Sequence, residues 1–364
     1  MSSREHRRIL VTGAGGIAGV NFVRALKASP RKYYIVGTDH DKYYLQLPEL
    51  DSRHLSPRHD DPKFTRTVSA LAKREKVEFI HPQPSSEALV LALRRRQLPA
   101  PVFLPEAKVM QVAQDKLKTQ EALRKRAVPV AKTRRLRKLS DLESVFGGFK
   151  APVWVRARHG AGGRLSLPCE SPEEAEHWVG LWHERGVPIG EFIFQEYLPG
   201  RNIAWDSLWV DGELVTSYSR ERLEYPFKHI SPSGITGTPS VSRTLHDRRV
   251  NEVSERAVRA LTPRASGAFS IDLKEDARGR PVVTEVDAGK LHTTMPLWGY
   301  VGVKHLGLEW HSNLADLYVR LGLGEEAPAD APRFDLFPAG YYMIRNIDSG
   351  VLLWREDGWK ERVL

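Results

Sequence analysis

The sequence predicts an α/β fold that becomes α+β beyond its first third, and three observations predict it. Short apolar segments alternate with amphipathic helical patterns over roughly the first hundred residues, as in an open parallel sheet. That alternation stops at Pro105, after which helices and hairpin-like segments are mixed. Near the far end, residues 266–290 read SGAFSIDLKEDARGRPVVTEVDAGK. Two alternating segments flank a charged Arg278-Gly279 turn there, the pattern of an antiparallel hairpin.

With 364 residues the chain has room for two or three compact domains and a substantial core. Its 41% hydrophobic and 27% charged content is that of an ordinary globular protein and argues against disorder. No run approaches the roughly 18 apolar residues of a membrane span. The apolar stretch before Gly13 is too short for a secretory leader, so a cytoplasmic protein without membrane contact is expected. The single cysteine, Cys169, excludes an internal disulfide and a cysteine metal cage. A formal net charge of +10 favours anionic partners. Nucleic acid, acidic lipid and nucleotide phosphates are such partners, and because the basic clusters, Arg94-Arg95-Arg96 and residues 132–138, are short and lack interleaved aromatics, nucleic acid is not expected.

Residues 8–12 (RILVT) form a strand that runs into Gly13-Ala14-Gly15-Gly16-Ile17-Ala18-Gly19 and a helix to about Ala28. Glycines there allow a tight turn and close approach to a helix N-terminus, where an anion can bind. A second strand over 33–38 ends at Asp39, where a dinucleotide fold keeps its ribose-binding acid. The pair is a nicotinamide-cofactor signal, unless the glycines only pack helix against strand. Asp61-Pro62 opens a helix with Phe64, Val68 and Leu71 on one face. A strand over 77–81, a helix over 85–96 and a strand over 102–104 follow. From Pro105 the chain reads as a helix, the Asp115-Lys116 pair, a second helix and a Val128-Pro129 breaker. Ser140 and Glu143 make a capping box for a short helix ending at Gly147-Gly148.

Residues 152–167, PVWVRARHGAGGRLSL, give a strand carrying Arg156, the glycine turn Gly160-Ala161-Gly162-Gly163, and a second strand from Arg164. Such a hairpin can close on a phosphate chain through backbone N–H groups and the guanidinium, or be a plain hairpin. Ser171 to Glu174 is a capping box for a helix whose Trp178 and Trp182 face a core. The strand over 192–198, FIFQEYL, is interrupted by Gln195-Glu196, which suits an edge that hydrogen-bonds a base beside Tyr197 and Leu198. Strands over 202–210 and 213–218 meet at Asp211-Gly212. The basic, hydroxyl-rich stretch 220–244 reads as a substrate loop or an exposed linker. A helix over 247–261 leads into the hairpin. His292, Thr293 and Thr294 follow it, then a helix over 308–321, a Pro/Ala-rich connector and a tail with two or three strands.

In a symmetric pairing about the hairpin turn Asp272 faces Glu285, and Asp287, two residues on, shares that face. At about 4 Å and an effective dielectric of about 20, each pair of carboxylates repels by roughly 4 kcal/mol. A cation belongs among them, or one stays protonated. Hard oxygen donors at this spacing suit Mg2+ shared with substrate phosphates. The alternative is a solvated hairpin whose acids pair with Lys274, Arg278 and Arg280.

Taken in order, the βα N-terminal region, DKLKTQEALRKRAVPV, PVWVRARHGAGG with FIFQEYLPG, and SIDL…TEVDAGK resemble the ATP-grasp superfamily. The character is that of the synthetase halves of the carbamoyl phosphate synthase large subunit and related amide ligases. The resemblance spans about residues 8 to 300. It implies an N-terminal Rossmann-like domain (1–108), a central lid subdomain (109–200, with a hinge at 195–200), a C-terminal antiparallel-sheet catalytic subdomain (201–325) and a C-terminal extension (326–364). Carried over residue by residue, it implies that Lys116 and Arg156 hold nucleotide phosphates, Arg156 standing where many members have lysine. Gly160, Gly162, Gly163 and Arg164 match the phosphate flap, and Gln195, Glu196, Tyr197 and Leu198 the adenine hinge. Asn202 stands near the usual ribose-contacting acid, a departure from the pattern. Asp272, Glu285 and Asp287 match the ligands of Mg2+, with Mn2+ as a substitute. The third is commonly asparagine, so Asp287 adds charge that holds metal more tightly. Lys290 follows that motif as a basic residue and joins Arg220 and Arg222 as a candidate catalytic cation. The resemblance also implies that the N-terminal glycine turn borders an acceptor site, which makes Gly15, Gly16 and Thr293 substrate-binding candidates.

The implied reaction is activation of a small-molecule carboxylate by ATP as an acyl phosphate and its capture by an amine, releasing ADP and phosphate. No protein nucleophile is required, and a homodimer is compatible with the family. Two other readings stand beside it: an NAD(P)-dependent oxidoreductase built on Gly13 to Gly19 and Asp39, and a nucleotide-binding relative without turnover.

Overall fold

The computed structural model describes residues 6–160, 162–163, 165–347 and 349–364, so Arg164 lies outside the described residues. The chain opens with β1 (Arg7–Thr12), α1 (Ile17–Lys27), β2 (Tyr33–Asp39), β3 (Ser52–Leu55), α2 (Phe64–Arg74), β4 (Phe79–Pro82) and α3 (Ser85–Leu93). The strands form a parallel sheet in the order β3-β2-β1-β4. Ile9, Leu10 and Val11 are fully buried because both faces of a parallel sheet are covered. The strand expected over 102–104 does not form. Pro99, Pro101 and Pro105 lack the N–H groups a ladder needs, and the segment keeps one backbone bond to β4, from Ile80 N–H to the Pro101 carbonyl. The helix expected over 85–96 stops at Leu93, followed by a 3₁₀ turn over Arg95–Gln97.

The glycine turn after β1 is filled by the chain itself. Gly15 N–H donates to Asp39 Oδ2 at 2.9 Å. A Cβ on Gly15 would lie 2.6 Å from the carbonyl carbon of Tyr44, so the 3₁₀ segment Tyr44–Gln46 occupies the space above the turn. Asp39 thus serves the turn rather than standing free for a ribose.

The middle of the chain contributes α4 (Ala107–Ala113), α5 (Lys116–Arg124), β5 (Thr133–Arg135), α6 (Leu142–Phe146), β6 (Val153–Ala157), β7 (Leu167–Cys169), α7 (Pro172–Glu184) and β8 (Phe192–Glu196). Its strands form an antiparallel sheet, β5-β8-β6-β7. Val153, Val155, Phe192 and Phe194 meet Phe146 and Val179 in one core, with Trp178 and Trp182 at its margin. Ser171 Oγ caps α7 by accepting from Glu174 N–H at 3.3 Å. Ser140 does not cap α6. It falls inside the 3₁₀ turn Leu139–Asp141, and α6 starts without a side-chain cap.

The last part carries β9 (Asn202–Val210), β10 (Glu213–Glu224), β11 (Val241–Leu245), α8 (Arg248–Leu261), β12 (Gly267–Glu275), β13 (Pro281–Ala288), α9 (Met295–Lys304), α10 (Leu314–Gly322), β14 (Tyr342–Asn346), β15 (Gly350–Trp354) and β16 (Lys360–Arg362). They build one eight-stranded sheet, β13-β12-β9-β10-β11-β14-β15-β16, antiparallel throughout. Arg220 and Arg222, expected in a loop, therefore lie on β10, and the loop is confined to 225–240. The tail is continuous with the sheet through β11 and β14 rather than standing apart. Helix α9 was not legible in sequence; its buried Met295, Trp298 and Val301 pack toward α1 and α10. Among the described residues, no helix is long and apolar enough to cross a membrane.

Candidate active site

The site is built on one face of the large sheet. Asp272 pairs in register with Glu285 across β12 and β13, and Ser270 with Asp287. On the other side of β12, Ser270 is opposite Asp206 and Asp272 opposite Ala204, which in turn is opposite Arg220 of β10. Directly opposed residues share a face, so Asp206, Arg220, Asp272, Glu285 and Asp287 all project the same way. Above them hang β6 and β8 of the small sheet. The cleft between has a volume of about 340 Å³ and is lined by Arg156, Gln195, Leu198, Arg222, Asp272, Glu285, Asp287, Lys290, His292 and Thr294, among others.

Each of the three clustered carboxylates, Asp272, Glu285 and Asp287, faces a cation. Glu285 accepts from Arg156 Nη2 at 2.7 Å and lies 3.2 Å from Lys116 Nζ. Lys116 also donates to the Gly160 carbonyl at 2.5 Å. Its place is set by Asp115, which caps α5 through Lys118 N–H and takes a fork from Arg158 at 2.7 and 2.5 Å. Burial lowers the pKa of Lys116, and Glu285 opposes that. Asp272 receives both terminal nitrogens of Arg222, at 2.8 and 2.5 Å. Asp287 Oδ2 lies 3.2 Å from both Lys290 Nζ and His292 Nε2.

Behind His292 stands a fully buried carboxylate, Asp206, whose Oδ1 is 2.8 Å from His292 Nδ1 and whose other oxygen is held by Arg220. Burial would raise the pKa of Asp206, but Arg220 and then His292 hold it far below the carboxylate range. Burial would likewise neutralise His292. Asp206 first, with Asp287 and Asp272, more than offsets this and raises its pKa to about 9, so the ring is an imidazolium at neutral pH.

Asp272, Glu285 and Asp287 offer hard oxygens from one face, a donor set that fits Mg2+. Among the described residues they do not already converge as a metal cluster. Each is neutralised by a protein cation, which a divalent ion would replace.

At the other end of the cleft Trp154, in register with Gln195, combines with Ala131, Tyr197 and Leu198 as an apolar wall. Gln195 donates to Thr133 Oγ1 at 2.9 Å, Glu196 accepts from Lys132 N–H at 2.8 Å, and Asn202 donates to Tyr225 Oη at 3.0 Å. Gly163, at φ +72°, comes so close to the 225–240 loop that a Cβ would sit 2.7 Å from the Ile235 carbonyl oxygen. The glycine turn and that loop together close the mouth of the cleft.

Most of the residues singled out from sequence line this cleft, including Arg156, Gly162, Gly163, Gln195, Glu196, Tyr197, Leu198, Asn202, Arg220, Arg222, Lys290 and Thr293. Lys116 and Gly160 lie just behind Glu285. Gly15 and Gly16 do not line it and connect only through α1, where Asn21 Nδ2 donates to the Thr293 carbonyl at 2.9 Å. Arg220 and Arg222, expected to be available to substrate, are committed to Asp206 and Asp272. Sequence reasoning missed Trp154 and Lys274, although each is two residues along a strand from a chosen one and so on its face. It gave His292 no role and missed Asp206, and neither belongs to a recognisable spacing.

No protein-family model matches the chain, and no curated protein matches its sequence. Solved structures do resemble it. An L-amino acid ligase from Bacillus licheniformis aligns with a TM-score of 0.65 at 15% identity, covering 94% of this chain and 79% of that one. N5-carboxyaminoimidazole synthetase from Staphylococcus aureus, complexed with ADP, aligns with a TM-score of 0.70 at 14% identity over 94% and 83%. A biotin carboxylase from Campylobacter jejuni, in a β-γ-ATP complex, aligns with a TM-score of 0.67 at 16% identity over 97% and 76%. The chain has the ATP-grasp fold.

Proposed function

We propose that this protein is an ATP-dependent ligase that activates a carboxylate as an acyl phosphate and couples it to an amine. The observation that carries the reading is the placing of Asp272, Glu285 and Asp287 on one sheet face, opposite Arg156 and beneath a glycine flap, with an apolar wall at Trp154 and Leu198. Proteins of the same fold whose names describe ligation or carboxylation, some holding ADP or a β-γ-ATP, support it.

In this reading the base lies against Trp154 and Leu198, with Gln195 to Leu198 supplying the hinge edge, and the phosphates run under Gly162 and Gly163 toward Arg156. Mg2+ held by Asp272, Glu285 and Asp287 would supply charge neutralisation on the phosphate oxygens. Lys116, buried behind Glu285, orients that carboxylate, whereas Arg222, which holds both oxygens of Asp272, would give way to the metal there. A substrate carboxylate oxygen attacks the γ-phosphorus and the bond to ADP breaks. The amine nitrogen then attacks the acyl carbon, the carbon–oxygen bond to phosphate breaks, and the amine proton passes to solvent. Lys290 and the His292 imidazolium, both beside Asp287, face the charge that develops on the transferring phosphoryl group. Contact of the flap with the 225–240 loop excludes water from the acyl phosphate.

The test is incubation with MgATP, hydroxylamine and pools of carboxylates labelled with 18O. One carboxylate should drive ADP release, with 18O appearing in the phosphate and a hydroxamate forming. ADP release that carries no label into phosphate, or no release with any pool, overturns the reading.

A further inference from the structure

Two arginines outside the nucleotide part of the cleft have no carboxylate partner among the described residues. Arg345, on β14, donates Nη1 to the Pro239 carbonyl at 3.2 Å, and Pro239 lines the cleft. Arg24, on α1, donates to Asn21 Oδ1 at 2.9 Å, and Asn21 in turn holds the carbonyl of Thr293, another lining residue. Both are half-buried. Burial first, then the like charges of Arg220 and Arg24, hold Arg345 below the usual arginine range, so the three guanidiniums share one electrostatic environment. Arg220 has its Nε buried and without a hydrogen-bond partner, and so has the Oγ1 of Thr294, which is 1% exposed and lines the cleft.

The charges here do not balance. Of the four cations Arg24, Arg220, Arg345 and Lys290, only Arg220 and Lys290 have a carboxylate at ion-pair distance among the described residues, Asp206 and Asp287 respectively. Two positive charges are left over, at Arg24 and Arg345, contributed by the first and last thirds of the chain. Arg24 also lines an outer hollow with Lys27, Lys304 and Glu49, where Lys27 is paired with Asp51. Nothing in the phosphate or metal chemistry proposed above uses these groups.

We infer that the end of the cleft at Thr293 and Thr294, with Arg345 standing behind Pro239 and Arg24 behind Asn21, recognises a dianionic group, so that one substrate carries a phosphate or a second and third carboxylate beyond the reacting one. Guanidiniums suit either anion because they fork onto paired oxygens. The inference rests on the ligase reading for which end of the cleft is the acceptor end, and not for the charge excess itself.

The experiment is calorimetric titration of the whole protein with malate, glycerol 3-phosphate and acetate, each with and without MgADP. At least one dianion should bind about ten-fold or more tighter than acetate, and its identity assigns the carboxylate or the phosphate source. Arg345→Gln and Arg24→Gln should each weaken that dianion about ten-fold while leaving MgADP affinity unchanged, and Arg345→Lys should retain part of the preference. Acetate binding as tightly as both dianions, or a dianion affinity untouched in both glutamine variants, overturns the inference. Failure of MgADP to bind would instead strike the ligase reading alone, since the titrations without nucleotide still report the dianion preference.

Discussion

Replacing Gly163 by alanine separates closure of the flap from every other determinant of nucleotide binding. Gly163 sits at φ +72°, a conformation that costs a residue with a side chain about 1–3 kcal/mol. Its new Cβ would also meet the Ile235 carbonyl oxygen at 2.7 Å, so either the flap or the 225–240 loop must move away. Gly160 is the control. Its φ is +90°, but a Cβ there has nothing within 4 Å, so Gly160→Ala carries the backbone cost without the collision. If closure is needed to hold the phosphates, a loss of about 1.4–3 kcal/mol in the closed state weakens MgATP by about 10- to 100-fold in Gly163→Ala. Gly160→Ala should weaken it only a few-fold. Calorimetric titration with MgATP measures both, and both should melt within about 2 °C of the parent because an exposed turn relaxes locally. Equal weakening in the two variants, or none in Gly163→Ala, would refute the claim that contact between flap and loop closes the cleft.

Further predictions follow from the ion pairs. Glu285→Gln and Asp272→Asn should each lower turnover on the order of 10³-fold with the circular dichroism spectrum unchanged, and wild-type turnover in either removes that residue from the metal set. Arg156→Ala deletes the charge-assisted bond to Glu285 on the proposed phosphate path and should raise the KM for ATP about 10-fold or more; an unchanged KM moves the phosphates elsewhere. Glu87, buried beneath the N-terminal glycine turn, has its pKa raised to about 7 by burial first and by Asp39. Between the unfolded value and about 7 the folded protein keeps a proton that the unfolded chain has lost, so stability falls as pH rises through that window, by about 3 kcal/mol in all. Chemical denaturation should therefore show Glu87→Gln gaining on the parent by about that amount between about pH 4.5 and pH 8, and parallel profiles would contradict it.

Much of this architecture is visible in the sequence because the signals are local. The pairing of Asp272 with Glu285 expected from symmetry about the charged turn is present, but the strands beside the turn pair one residue off (Leu273 with Val283) and a bulge between Asp272 and Leu273, not legible in the sequence, restores it. The parallel sheet was legible from β1 and β2, whose apolar runs are buried on both faces, whereas β3 (SRHL) is a half-exposed edge strand with no apolar run to mark it. The 102–104 segment misled in the other direction, since Val102-Phe103-Leu104 is apolar enough for a strand but flanked by prolines. Arg220 and Arg222 look like loop cations in a polar stretch; only pairing with β9 and β11 extends β10 through them. Asp206 and His292 are 86 residues apart in sequence and meet at 2.8 Å. Such a pair is a product of tertiary structure, and no spacing rule could bring it forward.

The most direct test of the central claim is a crystal structure of the protein with Mg2+ and a non-hydrolysable ATP analogue. The account predicts the base against Trp154 and Leu198, the phosphates beneath Gly162 and Gly163, and metal density bounded by Asp272, Glu285 and Asp287 after Arg222 and Lys290 have yielded their places. A nucleotide lodged at the Gly13 to Gly19 turn, or a cleft whose ion pairs persist with no nucleotide bound at saturating concentration, would contradict it.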